Sequence, residues 1–181
     1  MSRILVERYL LELNQYLKQL ENQKEAFEEV AKLLISTSKF LQGTIYIVGN
    51  GGSASTAQHL AQGLLDLGLR AVSVMDNISN ITAQSNDLSY KVALKQTLSE
   101  ILRAEDCIVV ISGSGNSENL IELLEDTSVA KVGILGMSGG KAIRSCDLAI
   151  VFRGLWYGPL EDAHLVVCHI ICEVIKEKLN I

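Results

Sequence analysis

The sequence has a single proline and no apolar run near the length of about 20 residues that a membrane span needs. Its N-terminus also lacks the charged and then apolar pattern of a secretory signal. With so little proline, long uninterrupted helices are easy to form. We therefore expect a cytoplasmic, helix-rich protein without a membrane partner.

Positive charge is also scarce, because 16 Lys and Arg residues face 21 Asp and Glu residues, for a net charge of −5. Such a chain has no general attraction for nucleic acid or anionic lipid. A small anionic ligand must then be held by local dipoles. The cysteines, scattered through apolar segments without a CxxC pair, are expected to be buried free thiols: Cys107, Cys146, Cys168 and Cys172.

Residues 2–41 form an amphipathic helical region, with a break predicted near Asn22. Forty residues of helix exceed what a five-stranded sheet needs, and 48% of the chain is hydrophobic. We therefore expect this region to join a helix bundle in an oligomer. The alternative is a helix that folds back on its own sheet.

After this region, short buried strands alternate with helices. The predicted strands span 44–48, 70–75, 106–111, 130–135 and 147–152, and the predicted helices follow at 53–65, 78–85, 87–104, 117–127, 140–145 and 161–179. This alternation predicts an α/β fold, a five-stranded parallel sheet with helices on both faces. We expect a single domain over 1–181, with a helical region at 1–41 and an α/β core at 42–181.

Two loops carry the pattern of an anion site. The first, GNGGSAS at 49–55, follows a strand and opens a helix, and its glycines bring backbone N–H groups close to a ligand. The second, SGSGNS at 112–117, repeats this arrangement. An ordinary Gly/Ser connection would explain the first loop alone, but two at one sheet edge predict a phosphate cradle. Neither loop has the NAD or ATP fingerprint, so neither cofactor is expected.

Five motifs in order resemble the sugar isomerase (SIS) domain, in its phosphoheptose isomerase branch. They are GNGGSAS, SND at 85–87, ISGSGNSEN, GGK at 139–141 and EDAH near the C-terminus. The resemblance covers essentially the whole chain. It implies a flavodoxin-like SIS fold and an enzyme that converts sedoheptulose 7-phosphate to a heptose 7-phosphate through an enediol. It also implies a homotetramer with active sites between subunits, and zinc as a candidate cofactor.

Carried over motif by motif, the resemblance implies a set of phosphate and sugar contacts that agrees with the two loops. These residues are Asn50, Ser53, Asp87, Ser112, Ser114, Asn116 and Ser117, to which the glycine turn adds the backbone of Gly51 and Gly52. For Asp87, capping the following helix is an equal alternative.

An aldose–ketose isomerase needs a base poised near neutral pH. Of the three histidines, His59 and His169 match family active-site positions, whereas His164 matches a non-catalytic one and is expected to pack. The family's catalytic glutamate is replaced by Gly63, and its glutamine near the last helix by Glu161. Asp66 is a weaker substitute, because three further residues rotate it away from Gly63 along the helix.

The predicted reacting centre is therefore His59, Glu161 and His169, either as a zinc site or as a metal-free acid–base group. Within regular helix, however, Glu161 and His169 would lie about 12 Å apart. One ion could then be shared only if Glu161 and His169 came from different subunits, or if Glu161 lay in a non-helical segment before the helix. In the alternative without metal, His59 and His169 are packed and hydrogen-bonded. Because Gly63 removes the glutamate, a catalytically silent SIS protein is the alternative function. It would bind a phosphosugar or a protein partner, as in the replication initiator-associating relatives.

Overall fold

The computed structural model describes residues 2–181. Within these residues, seven α-helices and five strands make up the fold. The helices are α1 (Ser2–Leu20), α2 (Lys24–Ile35), α3 (Gly52–Asp66), α4 (Ile78–Asp87), α5 (Tyr90–Ser99), α6 (Glu118–Glu125) and α7 (Tyr157–Leu179). The strands are β1 (Ile45–Gly49), β2 (Ala71–Ser73), β3 (Cys107–Ser112), β4 (Ala130–Leu135) and β5 (Leu148–Val151).

The strands form one parallel sheet in the order β2-β1-β3-β4-β5, which confirms the predicted α/β fold. This is the order of flavodoxin-like doubly wound sheets. Every residue of β3 is buried, because helices cover both faces of the central strand. Ile47 faces a core shared with α1, α2, α3 and α7, and Val48 faces a core shared with α4, α5 and α6.

The N-terminal helices fold back on their own chain. The predicted break near Asn22 lies between α1 and α2, and both helices pack against α7. The second half of α1 and the inner face of α2 are buried in the core. The first half of α1 instead exposes apolar side chains, namely Ile4, Leu5, Val6, Leu10 and Leu11. The fold-back alternative therefore holds for most of this region and leaves an apolar surface at its start.

Several predicted boundaries differ from the structure. The strand predicted over 70–75 spans only Ala71–Ser73, and the helix predicted over 140–145 is a 3₁₀ helix at Ala142–Ser145. The helix predicted over 87–104 ends at Ser99. It begins only at Tyr90, because Leu88 and Ser89 leave helical geometry, with φ/ψ of −116°/−83° and −176°/159°. Asp87 therefore ends α4, so its interpretation as an N-cap is wrong. The last helix begins at Tyr157, earlier than predicted, which places Pro159 in the first turn, where its missing N–H costs no intrahelical bond. None of the helices described in residues 2–181 is both long and apolar enough to cross a membrane.

Candidate functional site

The two Gly/Ser loops meet at one edge of the sheet. Strands β1 and β3 pair in parallel with Gly49 beside Ile111, so their carboxyl ends deliver both loops to the same place. A cavity of about 130 Å³ lies between the loops and the start of α7. It is lined by Asn50, Ser53, Ile111, Ser112, Gly113, Ser114, Ser117, Tyr157 and Glu161.

The first loop needs glycine at two positions for different reasons. Gly49 lies against the helix that follows, since a Cβ there would come 2.5 Å from the backbone oxygen of Ser53. Gly51 has φ of +57°, a conformation that side chains disfavour. The resulting turn starts α3 at Gly52, with Ser53 lining the cavity. The Ser53 and Ala54 N–H groups donate to the carbonyls of Asn50 and Gly51, both at 3.0 Å. The partial positive charge of a helix N-terminus therefore lies at the cavity.

The second loop is braced by its own polar side chains. Ser112 Oγ accepts a hydrogen bond from the Gly115 N–H at 3.0 Å, and Ser114 Oγ accepts one from the Asn116 N–H at 3.1 Å. Asn116 donates to the Ser114 carbonyl at 2.9 Å and accepts from the Lys141 N–H at 3.1 Å. Asn116 thus shapes the loop, while the serine hydroxyl hydrogens remain as donors for a ligand.

Asn50 is held by two residues that sequence reasoning missed. Its side-chain amide exchanges two hydrogen bonds of 2.9 Å with the amide of Asn119, which is buried at the start of α6. Its oxygen also accepts from the Tyr90 hydroxyl at 2.6 Å. Because these bonds use its oxygen and one N–H, Asn50 has one side-chain N–H left for a ligand. It therefore ties the first loop to α5 and α6.

Glu161 lies beside the two Gly/Ser loops and not beside the histidines. Its carboxylate lies 2.7–2.9 Å from the point that a Cβ on Gly52 would occupy, so glycine is what admits it. A negative charge at the N-terminus of α3 is favourable. Tyr157, also missed from the sequence, lies against Gly113, where a Cβ would be 2.7 Å from its ring. Together the two side chains form the α7 wall of the cavity.

The predicted histidine pair does form. His59 on α3 and His169 on α7 approach with their Nε2 atoms 2.8 Å apart. One nitrogen must donate and the other accept, so the bond requires at least one neutral ring. A cavity of about 290 Å³ beside them is also lined by Gly63 and Cys172. Burial raises the pKa of Cys172 to about 11, so a neutral thiol lies beside the pair.

The three predicted metal ligands do not assemble within one chain. Glu161 and His169 both lie inside α7, eight residues or about 12 Å apart, which removes the non-helical approach for Glu161. Within residues 2–181, no three His, Cys, Asp or Glu side chains are grouped to hold a metal ion. The 2.8 Å between the imidazole nitrogens is a hydrogen-bond length, whereas two tetrahedral zinc ligands would lie about 3.3 Å apart. An ion shared between subunits stays a prediction.

The remaining candidates lie outside the cavity. Asp87, exposed at the end of α4, accepts a hydrogen bond from Asn86 at 2.9 Å. Asp66 ends α3 and accepts from Gln62. His164 is fully buried beside Phe152, as expected for a packing residue, and neither ring nitrogen has a partner among residues 2–181. Burial lowers the pKa of His164 to about 4.

The fold and the two loops define a class of proteins. A model of the family described as "SIS domain" matches residues 8–139, so the chain belongs to the SIS domain family.

Within that family, the relatives are phosphoheptose isomerases, and the chain belongs to this branch. The phosphoheptose isomerase of Helicobacter pylori is 34% identical over 168 residues, which cover 88% of this chain and 87% of the relative. The phosphoheptose isomerase of Aliarcobacter butzleri is 29% identical, and the match covers 99% of this chain and 100% of the relative. The solved structure of the enzyme from Neisseria gonorrhoeae matches with a TM-score of 0.91 at 26% identity, over 97% of this chain and 99% of that one.

Proposed function

We propose that this protein is a phosphosugar aldose–ketose isomerase that converts sedoheptulose 7-phosphate to a heptose 7-phosphate. The observation that carries the proposal is the meeting of two Gly/Ser loops in one cavity beside the carboxylate of Glu161. The phosphoheptose isomerases similar to this chain support the choice of a seven-carbon sugar. The same similarity favours an enzyme over a silent binding protein.

The cavity binds the phosphate through neutral donors. Hydroxyls of Ser53, Ser112, Ser114 and Ser117 and the backbone at the start of α3 supply them. The cavity-lining residues of the described chain include no Lys, Arg or His, so helix dipoles and N–H groups must supply the attraction. A phosphate ester fits this site because it offers several strong acceptor oxygens in a small volume.

The isomerisation needs two steps, and each step moves one proton at a carbon and one at an oxygen. A base takes a proton from C1 of the ketose while the C2 carbonyl oxygen gains one, which gives the enediol. A proton then returns to C2 as the C1 hydroxyl loses its own, which gives the aldose. Glu161, His59 and His169 are the groups proposed for these transfers. A zinc ion shared between subunits stays the alternative, because Glu161 and His169 lie about 12 Å apart within one chain.

A homotetramer with active sites between subunits would bring the separated groups together. In one chain, Glu161 lies at the phosphate cavity and the histidine pair lies two turns further along α7. The exposed apolar side chains of Ile4, Leu5, Leu10 and Leu11 support burial of α1 against another copy. Light scattering at micromolar concentration should give a tetramer mass, and deletion of residues 1–20 should dissociate or aggregate the protein. A monomer mass would refute the assembly.

The decisive experiment for function is incubation with sedoheptulose 7-phosphate and with shorter ketose phosphates, followed by product analysis. Parallel reactions with and without Zn²⁺ test whether the metal contributes. We expect a heptose 7-phosphate as the product. If no phosphosugar is converted while phosphate still binds, the catalytically silent interpretation replaces this one.

A further inference from the structure

One face of α1, together with Gln23 in the turn between α1 and α2, is bonded to the edge of the sheet. Gln23 donates to the Val151 carbonyl at 2.9 Å and accepts from the Val151 N–H at 2.8 Å. Gln19 donates to the Arg153 carbonyl at 2.9 Å and accepts from the Arg153 N–H at 2.7 Å. Each primary amide thus pairs with the backbone as a neighbouring strand would, and it satisfies groups that an edge strand leaves open.

The same face of α1 continues to the start of α7. Tyr16 Oη accepts from the Trp156 N–H at 3.3 Å, and its ring lies so close to Gly154 that a Cβ there would be 2.3 Å from the hydroxyl. Tyr9 stacks edge-on against Trp156 with ring centroids 5.4 Å apart. Its hydroxyl donates to Asp162 at 2.6 Å. We name Tyr9, Tyr16, Gln19 and Gln23 the α1 stripe.

The segment that the α1 stripe holds carries the α7 wall of the cavity. Tyr157 follows Trp156 directly, and Glu161 lies one turn further along α7. Between β5 and α7, the N–H groups of Arg153 and Trp156 both donate to side chains of α1. The position of this connection therefore depends on the stripe.

We propose that the α1 stripe positions Tyr157 and Glu161 in the phosphate cavity, so that its members are positioning residues for anion binding and for the isomerisation. The part that concerns reaction rate rests on the proposed function, whereas the part that concerns anion binding does not.

Electrostatics explains why such a support is needed. Glu161 lies in the cavity that receives the anion, so repulsion favours its displacement when phosphate binds. Gln19 is bonded to Arg153, before Trp156 in the chain, and Tyr9 is bonded to Asp162, after it. Both sets of hydrogen bonds resist the displacement of Glu161. The hydrogen bond to Asp162 also raises the pKa of Tyr9 to about 12, which keeps the hydroxyl a donor at neutral pH.

The test compares three variants of the full-length protein. Gln19→Leu removes both bonds to Arg153, and Gln19→Glu keeps the shape and the acceptor but loses the donor. Gln15→Leu changes an exposed glutamine one turn earlier and is the matched control. The readouts are the fluorescence of Trp156, which is the only tryptophan of the chain, the affinity for inorganic phosphate by calorimetry, and KM and kcat.

We expect Gln19→Leu to shift the Trp156 emission and to weaken phosphate binding about tenfold, or about 1.4 kcal/mol. Its kcat/KM should fall at least as far. Gln19→Glu should lose less, and Gln15→Leu should match the wild type.

The proposal is overturned if Gln19→Leu leaves phosphate affinity and kcat/KM within twofold of the wild type, whatever happens to the fluorescence. If that variant does not fold, Tyr9→Phe, which removes a single hydroxyl, is judged by the same limits. If the wild type converts no phosphosugar, the proposed function fails. The fluorescence and phosphate affinity then still decide whether the stripe positions the wall.

Discussion

Two candidate centres lie between α3 and α7, and they differ in how complete they are. The phosphate cavity draws on β1, β3, α7 and both loops, all within one chain. The histidine centre has two exposed rings in contact, with Gly63 and a neutral thiol beside them. The cavity proposed for the anion is therefore built mainly from backbone geometry and small hydroxyls. The side chains that we propose for proton transfer lie apart within one chain, and our proposal needs a second copy to bring them together.

The largest effect should come from removing the proposed proton-transfer groups. His169→Ala and Glu161→Gln should each lower kcat on sedoheptulose 7-phosphate by about 10²- to 10⁴-fold, the usual contribution of a general acid or base. Glu177→Gln, which alters an exposed carboxylate on the same helix, is the control. Full activity in both site variants would show that the reacting centre lies elsewhere.

The cavity is tested by removing hydroxyls from its second loop. Ser114→Ala combined with Ser117→Ala should weaken binding of inorganic phosphate and sugar phosphates by about 10- to 100-fold, because hydrogen bonds to charged groups are lost. Calorimetry measures this directly. The double variant should retain the fold, and Ser79→Ala, on the exposed surface of α4, should bind like the wild type. Unchanged affinity would show that phosphate does not bind in this cavity.

The third histidine contrasts with the exposed pair. Burial lowers the pKa of His164 to about 4, below its ordinary value of 6.5, so the unfolded state binds the proton more tightly. The stability it contributes is present above pH 6.5 and is lost as the pH falls towards 4. Between pH 7.5 and 4.5 this amounts to about 2 kcal/mol. His164→Leu should remove that part of the acid sensitivity in urea unfolding, and an unchanged pH dependence would contradict the assignment.

The smallest effect concerns the space beside Gly63. A Cβ at this position would lie 2.9 Å from Cys172 Sγ, so the thiol occupies room that a larger residue would need. Gly63→Glu and Cys172→Ala should therefore be coupled by about 1 kcal/mol in unfolding free energy, with the double variant more stable than the single effects predict. Strict additivity in the double-mutant cycle would show that the two positions are independent.

Several parts of the site could be predicted from local sequence pattern. Buried strands alternating with helices require a parallel sheet, and a parallel sheet places the loops at 49–53 and 112–117 at one edge. Ser53, Ser112, Ser114 and Ser117 accordingly line the cavity. The resemblance to the SIS domain placed His59 and His169 in one centre with Glu161, and the two histidines do meet, as in the metal-free alternative.

Tertiary packing decided the rest. Asn119 and Tyr90 hold Asn50 from 69 and 40 residues away, and Tyr157 enters the cavity only because Gly113 leaves room for its ring. Such contacts cannot be predicted from the spacing of hydrophobic residues. A period of 2 or 3.6 residues shows which face of a strand or helix is buried, but not which residues pack against that face.

The separation of Glu161 from His169 shows the same division. The two residues are eight positions apart in the chain, but this spacing does not say whether the segment between them is helical. The start of α7 at Tyr157, where Trp156 and Gly154 pack against Tyr9 and Tyr16, makes that spacing helical. Short-range patterns thus determined the sheet, the loops and the chemistry at its edge. The placement of each side chain depended on elements that lie 40 to 153 residues apart in the chain, where packing and close contact decide.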